Sequence, residues 1–147
     1  MRAAGMRPED VFRMMRETGA DGVMVGRAPL GQPWWFRDVR DLAAGRAPRP
    51  PAVEEVRATI REHLRRETEL MARRGKKELK LGAELTACLV QRPQLVHYLR
   101  GFRGFGALAR TLEERVDAAT LLARVDGVLA TGRKHPAEPG AGNRDPE

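Results

Sequence analysis

Residues 46–51, Arg-Ala-Pro-Arg-Pro-Pro, constrain this chain more than any other stretch. Their three prolines remove backbone donors and push each preceding residue away from the helical region, so neither a helix nor a central strand can run through them. The segment reads as a linker between residues 1–45 and a longer stretch that begins at Ala52. The two sides differ in character.

Before the linker, residues 8–18 (PEDVFRMMRET) open with a proline and two acids, which suit the first turn of a helix, and Gly19 can end it. Gly22-Val23-Met24-Val25 is short, apolar without alternation and bounded by glycines, which predicts a buried strand. The corner Gly26-Arg27 follows, and then PWWFRDVRDLAAG, a short helix ending near Gly45. Helix, tight turn and buried strand are the end of an α/β unit whose parallel neighbours are not in this chain.

After the linker the periodicity is helical throughout. Val53, Val56, Ile60, Leu64 and Met71 mark a long amphipathic helix over residues 52–74, and a break follows at Gly75-Lys76-Lys77. Leu81, Leu85, Cys88 and Leu89 predict a second helix. Leu95, Tyr98, Leu99 and Phe102 predict a third, with Pro93 in its first turn. Leu108, Leu112 and Val116 mark a fourth, and Leu121, Leu122, Val125, Val128 and Leu129 a fifth. Five helices over 52–131 make a small bundle. Residues 132–147 lack apolar periodicity and are expected to be a disordered tail.

The chain has 147 residues, enough for one compact domain or a small domain with flexible ends, and too few for a complete barrel enzyme. Aromatic residues are only 5% and charged residues 32%, which favours helices built on Leu, Val and Ala. One cysteine, Cys88, rules out an internal disulfide and any Cys-rich metal site, and its place on an apolar helix face predicts a buried structural thiol. His63, His97 and His135 have no metal-like spacing, so no metal is expected. No apolar run is long enough to span a membrane and the N-terminus lacks a secretory core, so the expected location is the cytoplasm.

Two features could carry chemistry. A glycine just after a buried parallel strand lets the backbone approach a ligand, and an adjacent arginine adds a forked cationic donor, so Gly26 and Arg27 suit a phosphate. The same pair also suits a plain surface turn in which Arg27 meets a carboxylate. The net charge of +7 favours polyanions, and residues 52–103 carry twelve Lys/Arg against seven Asp/Glu, or +5 of it. Arg57, Arg61 and Arg65 recur at four-residue steps, and Arg92, Arg100 and Arg103 follow. Such a face fits RNA backbone binding. It equally fits a solvated face threaded with Glu54, Glu62, Glu67 and Glu69.

Pro8-Glu9-Asp10, the run Thr18 to Ala28 (TGADGVMVGRA) and Leu30-Gly31-x-Pro33-Trp34-x-Phe36 together resemble the flavin-dependent tRNA-dihydrouridine synthases of bacteria, whose pattern is GxDGVMIGRxxxGNPWxF. Arg92, Leu95, Tyr98 and Gly101 extend the likeness more loosely toward the family's RKHLxWYxxG. The resemblance implies a mostly α chain: the last helix and strand of a (β/α)8 TIM barrel over 1–45, the linker, and a helical tRNA-binding domain over 52–131. It implies FMN as cofactor, with Gly26 and Arg27 at its phosphate, NADPH as reductant, and tRNA as the uridine-bearing substrate. It implies that the basic bundle is the tRNA-binding domain, which makes its arginines Arg57, Arg61, Arg65, Arg92, Arg100 and Arg103 the expected RNA contacts.

The departures from the pattern are specific. Arg2-Ala3-Ala4 stands where the family has Asn-Gly-Asp, Pro93-Gln94 where it has Lys-His, and His97 where it has tryptophan. The catalytic cysteine loop has no counterpart, and Cys88 lies in the wrong domain to replace it. The expectation is therefore a C-terminal fragment, inactive alone, whose partner is the missing barrel half if the gene is split. The alternative is a stand-alone basic RNA-binding module.

Overall fold

A computed structural model describes residues 6–74 and 81–134, and all regular structure among them is helical, apart from one isolated antiparallel bridge between Phe102 and Arg133. These residues fall into two compact units that part between Pro51 and Ala52. Arg2-Ala3-Ala4, the Gly75-Lys76-Lys77 break, His135 and residues 136–147 of the expected tail lie outside the described residues.

The first unit is built on two helices, α1 (Pro8–Thr18) and α2 (Trp35–Ala43). Pro8 needs no donor in the first turn, and the Asp10 carboxylate takes the Arg7 N–H at 2.8 Å, which satisfies a donor the helix itself cannot. Gly19, at φ 68°, turns left-handed and returns its N–H to the Met15 carbonyl at 3.0 Å. The helices pack together, and between them residues 27–35 form successive tight turns, Leu30 N–H to Arg27 O, Gln32 N–H to Pro29 O and Trp35 N–H to Gln32 O. Trp35 is buried, and its indole N–H donates to the Met6 carbonyl at 3.1 Å, so this ring anchors the unit's interior.

The expected buried strand at Gly22–Val25 does not form. Residues 22–26 belong to no strand, and Met24 is 94% exposed. The physical reason is the missing ladder: the main-chain groups of residues 21–26 make no hydrogen bond to any described residue, and a strand exists only by pairing. Its sequence carries strand character that no described segment pairs with.

The second unit contains α3 (Val53–Arg73), α4 (Ala83–Leu99), α5 (Phe105–Thr111) and α6 (Ala118–Ala130). Four helices thus replace the expected five. The residues assigned to a second and a third helix lie on one helix, α4, with Pro93 inside it. Ala87, Cys88, Gln91, Leu95, Tyr98 and Leu99 are buried at three- and four-residue steps that stay in phase across Pro93, while Pro93 itself faces solvent. Continuous burial outweighs the backbone bond that Pro93, lacking an N–H, cannot make to the Leu89 carbonyl. Val116, expected on the fourth helix, lies in the loop after α5.

Helix α3 packs along α4, and α6 packs against both, so Val56, Ile60 and Leu64 share a core with Leu95, Leu99, Leu121 and Val125. The start of α6 is tied down twice. Asp117 Oδ1 accepts the Thr120 N–H at 2.7 Å, and Glu84 of α4 accepts the Ala118 N–H at 2.9 Å. Residues 132–134, expected to begin the tail, instead pair with the loop after α4, with Arg103 N–H to Gly132 O at 3.1 Å and Lys134 N–H to Gly101 O at 2.9 Å.

Candidate functional site

Gly26 and Arg27 sit where the irregular segment 22–26 meets the first tight turn of the first unit. Both are exposed. A side chain added at Gly26 would meet nothing within 4 Å, and Arg27 makes no ion pair with a described residue. The N–H groups just before the corner make no hydrogen bond to a described residue either, so the corner offers main-chain donors and one guanidinium to an incoming anion.

The α3 arginines have a different setting. Arg57 reaches Glu54 on its own helix and Asp126 of α6, and Arg61 reaches the other oxygen of Asp126 at 2.6 Å. Arg65 bonds Glu62 and Glu69, and Arg66 also bonds Glu62 at 2.6 Å. Held between the Arg65 and Arg66 guanidiniums, the Glu62 carboxyl falls to a pKa of about 2. Hydrogen bonding to Glu54 similarly raises the pKa of Arg57. The stripe is real in its spacing, but carboxylates offset its charge along its length.

The later arginines lie where such partners are scarce in sequence: residues 85–112 contain no Asp or Glu. Arg92 donates to the Glu114 carbonyl at 2.8 Å, and Arg100 caps α4. Arg103 is exposed in the loop before α5 and makes no ion pair with a described residue. Sequence reasoning missed its neighbours Arg133 and Lys134, because Gly132 ends a helix and a Pro- and Gly-rich stretch follows. Phe102 is fully buried, and the Arg133 guanidinium lies over its ring, 4.8 Å from the centroid. Asp126 was also missed, since nothing local marks it as the acceptor for two arginines of another helix.

Other reactive groups are committed to structure. Cys88 is buried, and burial pushes its thiol pKa up, away from the reactive thiolate. The Tyr98 hydroxyl lies 3.4 Å from His63 Nδ1, with the rings edge to face. Asp38 is buried beside Arg37, and burial raises its pKa despite that guanidinium. Among the described residues no group of His, Cys, Asp and Glu could hold a metal ion. A cleft of about 370 Å³ opens between α5 and α6, but its charged wall, Arg124, is already held by Glu114 and the Thr111 carbonyl. No described helix is long and apolar enough to cross a membrane.

Residues 6–122 match the family model described as Dihydrouridine synthase (Dus). The chain is 35% identical to a probable tRNA-dihydrouridine synthase of Mycobacterium leprae over 127 residues, covering 82% of this chain and 29% of that protein. It is 47% identical over 58 residues to tRNA-dihydrouridine synthase B of Xanthomonas axonopodis pv. citri, 39% of this chain and 18% of the relative. A probable tRNA-dihydrouridine synthase of Aquifex aeolicus is 41% identical over 61 residues, 40% of this chain and 19% of the relative. The chain thus spans less than a third of the length of these relatives.

Proposed function

This chain belongs to the dihydrouridine synthase family, and on that premise we propose that it supplies two parts of a tRNA uridine reductase: a flavin-phosphate corner and a helical tRNA grip. The observation that carries the reading is the pairing of an exposed Gly26-Arg27 corner with a separately packed basic unit in a sequence matched to the family over residues 6–122.

The corner fits a phosphate. The open space at Gly26 lets an anion reach the backbone, and Arg27 is exposed beside it. Bound FMN would supply the hydride that reduces the C5–C6 double bond of a tRNA uridine, with NADPH as its reductant. The contribution of Gly26 and Arg27 is to hold the phosphate end through the main chain and the guanidinium, and so to fix where the ring can lie. The reduction also needs a proton, and Cys88 is a buried thiol of the second unit rather than an exposed donor. The residues Gly22 to Gly26, without ladder partners among the described residues, are the part of a barrel strand that neighbouring strands would complete. We therefore read the chain as a C-terminal segment of the enzyme, located in the cytoplasm with its tRNA and inactive as an isolated polypeptide.

The same basic unit would serve equally in a stand-alone RNA-binding module, and the autonomy of residues 52–134 as a packed unit favours keeping that reading. Purified chain mixed with NADPH, FMN and unmodified tRNA separates the outcomes. The expected result is salt-sensitive tRNA binding without NADPH oxidation. Turnover would overturn the assignment of inactivity, and absence of tRNA binding at low salt would overturn the RNA grip. Adding a separately expressed barrel portion restores activity if the enzyme reading holds, and leaves binding alone if the module reading holds.

A further inference from the structure

The loop after α4 and the residues after α6 meet in a short antiparallel clip. Phe102 and Arg133 face each other directly, flanked by the bonds Arg103 N–H to Gly132 O and Lys134 N–H to Gly101 O. The residues on either side of that pair belong to turns or bends, and Gly132 is left-handed at φ 72°, so the clip is a single bridge between two turns. Phe102 is fully buried with Arg133 over its ring, so this pair is turned inward. Gly101, Arg103 and Lys134 are exposed and Gly132 is half-buried, so these four residues line the outward side of the clip.

That outward face has an unusual make-up. Arg103 stands opposite Gly132, and Lys134 stands opposite Gly101. Each cation is therefore tied through its main-chain N–H to a glycine carbonyl of the other segment. A side chain built at either glycine would meet nothing within 4 Å, so the clip is open above both glycines. Neither Arg103 nor Lys134 makes an ion pair with a described residue. The segments that form the clip, residues 85–112 and 127–134, contain no acid. The contrast with α3 is direct, because Arg57, Arg61 and Arg65 each bond a carboxylate.

We propose that this outward face, Arg103 and Lys134 with the bare Gly101 and Gly132, is a contact for successive phosphates of an RNA backbone, and that it contributes more to RNA affinity than the α3 stripe. The proposal rests on the RNA-binding reading given above and locates that binding on a surface made by two chain segments. Two cations on one clip suit adjacent anionic groups on an extended backbone, and the open glycines admit the phosphate oxygens without a steric barrier. An arginine already shared with a carboxylate must give up that partner before it can neutralise a phosphate, which reduces its net gain.

The test is a salt titration of labelled tRNA binding to the full chain. Arg103→Gln with Lys134→Gln is expected to weaken binding about tenfold at low salt and to flatten the slope of log affinity against log salt by about 1.4 to 1.8, for two phosphates. Arg61→Gln with Arg65→Gln is expected to change affinity by less than about twofold. Gly101→Leu, which covers one open glycine and keeps the charges, is expected to weaken binding with little change in slope. Circular dichroism on each variant separates a loss of fold from a loss of contact. Wild-type affinity and slope in the Arg103/Lys134 variant, beside a wild-type chain that does bind, would overturn the clip and leave the RNA-binding reading standing. An equal loss in the α3 pair would also overturn it, by making the effect one of general charge. A wild-type chain with no salt-sensitive binding would overturn the RNA-binding reading and this inference with it.

Discussion

Glu62 illustrates how a single residue decides what a basic surface does. Its carboxyl hydrogen-bonds Arg65 and Arg66, and these bonds lower its pKa from the ordinary 4.5 to about 2. The folded chain therefore binds this proton more weakly than the unfolded chain, so the stabilisation is fully present above pH 4.5 and is lost as pH falls toward 2. Carbon-detected NMR titration should place the Glu62 midpoint near 2, and replacing both Arg65 and Arg66 with alanine should return it toward 4.5. Gly104 makes a second case. An added Cβ there would lie 2.8 Å from Thr131 Cγ2, while the Gly104 N–H is held by Thr131 Oγ1 at 2.9 Å. Gly104→Ala should cost about 1–3 kcal/mol through this overlap, measured by urea unfolding. Adding Thr131→Ser, which removes the methyl and keeps the hydroxyl, should recover most of that loss.

At the scale of elements, α4 shows burial overriding a local breaker. Pro93 interrupts the backbone ladder, yet the helix runs from Ala83 to Leu99 because its apolar face stays in phase on both sides. Since Pro93 faces solvent and fills no core position, Pro93→Ala should stabilise the chain by about 2–3 kcal/mol, read as a higher midpoint in thermal unfolding. Residues 22–26 give the converse result. Their composition is that of a buried strand, but pairing is a property of two segments, and no described segment runs beside them. Helix α1 was legible in full, from Pro8 to its Gly19 stop, because its start and stop signals are local. The merging of two expected helices into α4 was not legible, because a proline reads as a boundary until its exposure is known.

For the molecule as a whole, residues 52–134 hold a core of their own, from Val56 and Ile60 on α3 to Val125 and Leu129 on α6. A polypeptide covering 52–135 should therefore show helical circular dichroism and one cooperative thermal transition; a broad, non-cooperative melt would contradict this autonomy. The sequence by itself determined the bounds of α1 and, within a residue, of α3, which faces are apolar, and the family motif around Gly26 and Arg27, since each depends on residues close together in the chain. Only the tertiary structure decided which charges remain available. Asp126 meets Arg57 and Arg61 from another helix, whereas Gly132 and Lys134 return to pair with Gly101 and Arg103. A count of charges along the chain treats these arginines alike. Their partners arrive from sequence-distant elements, so electrostatic neutralisation is settled by packing rather than by composition.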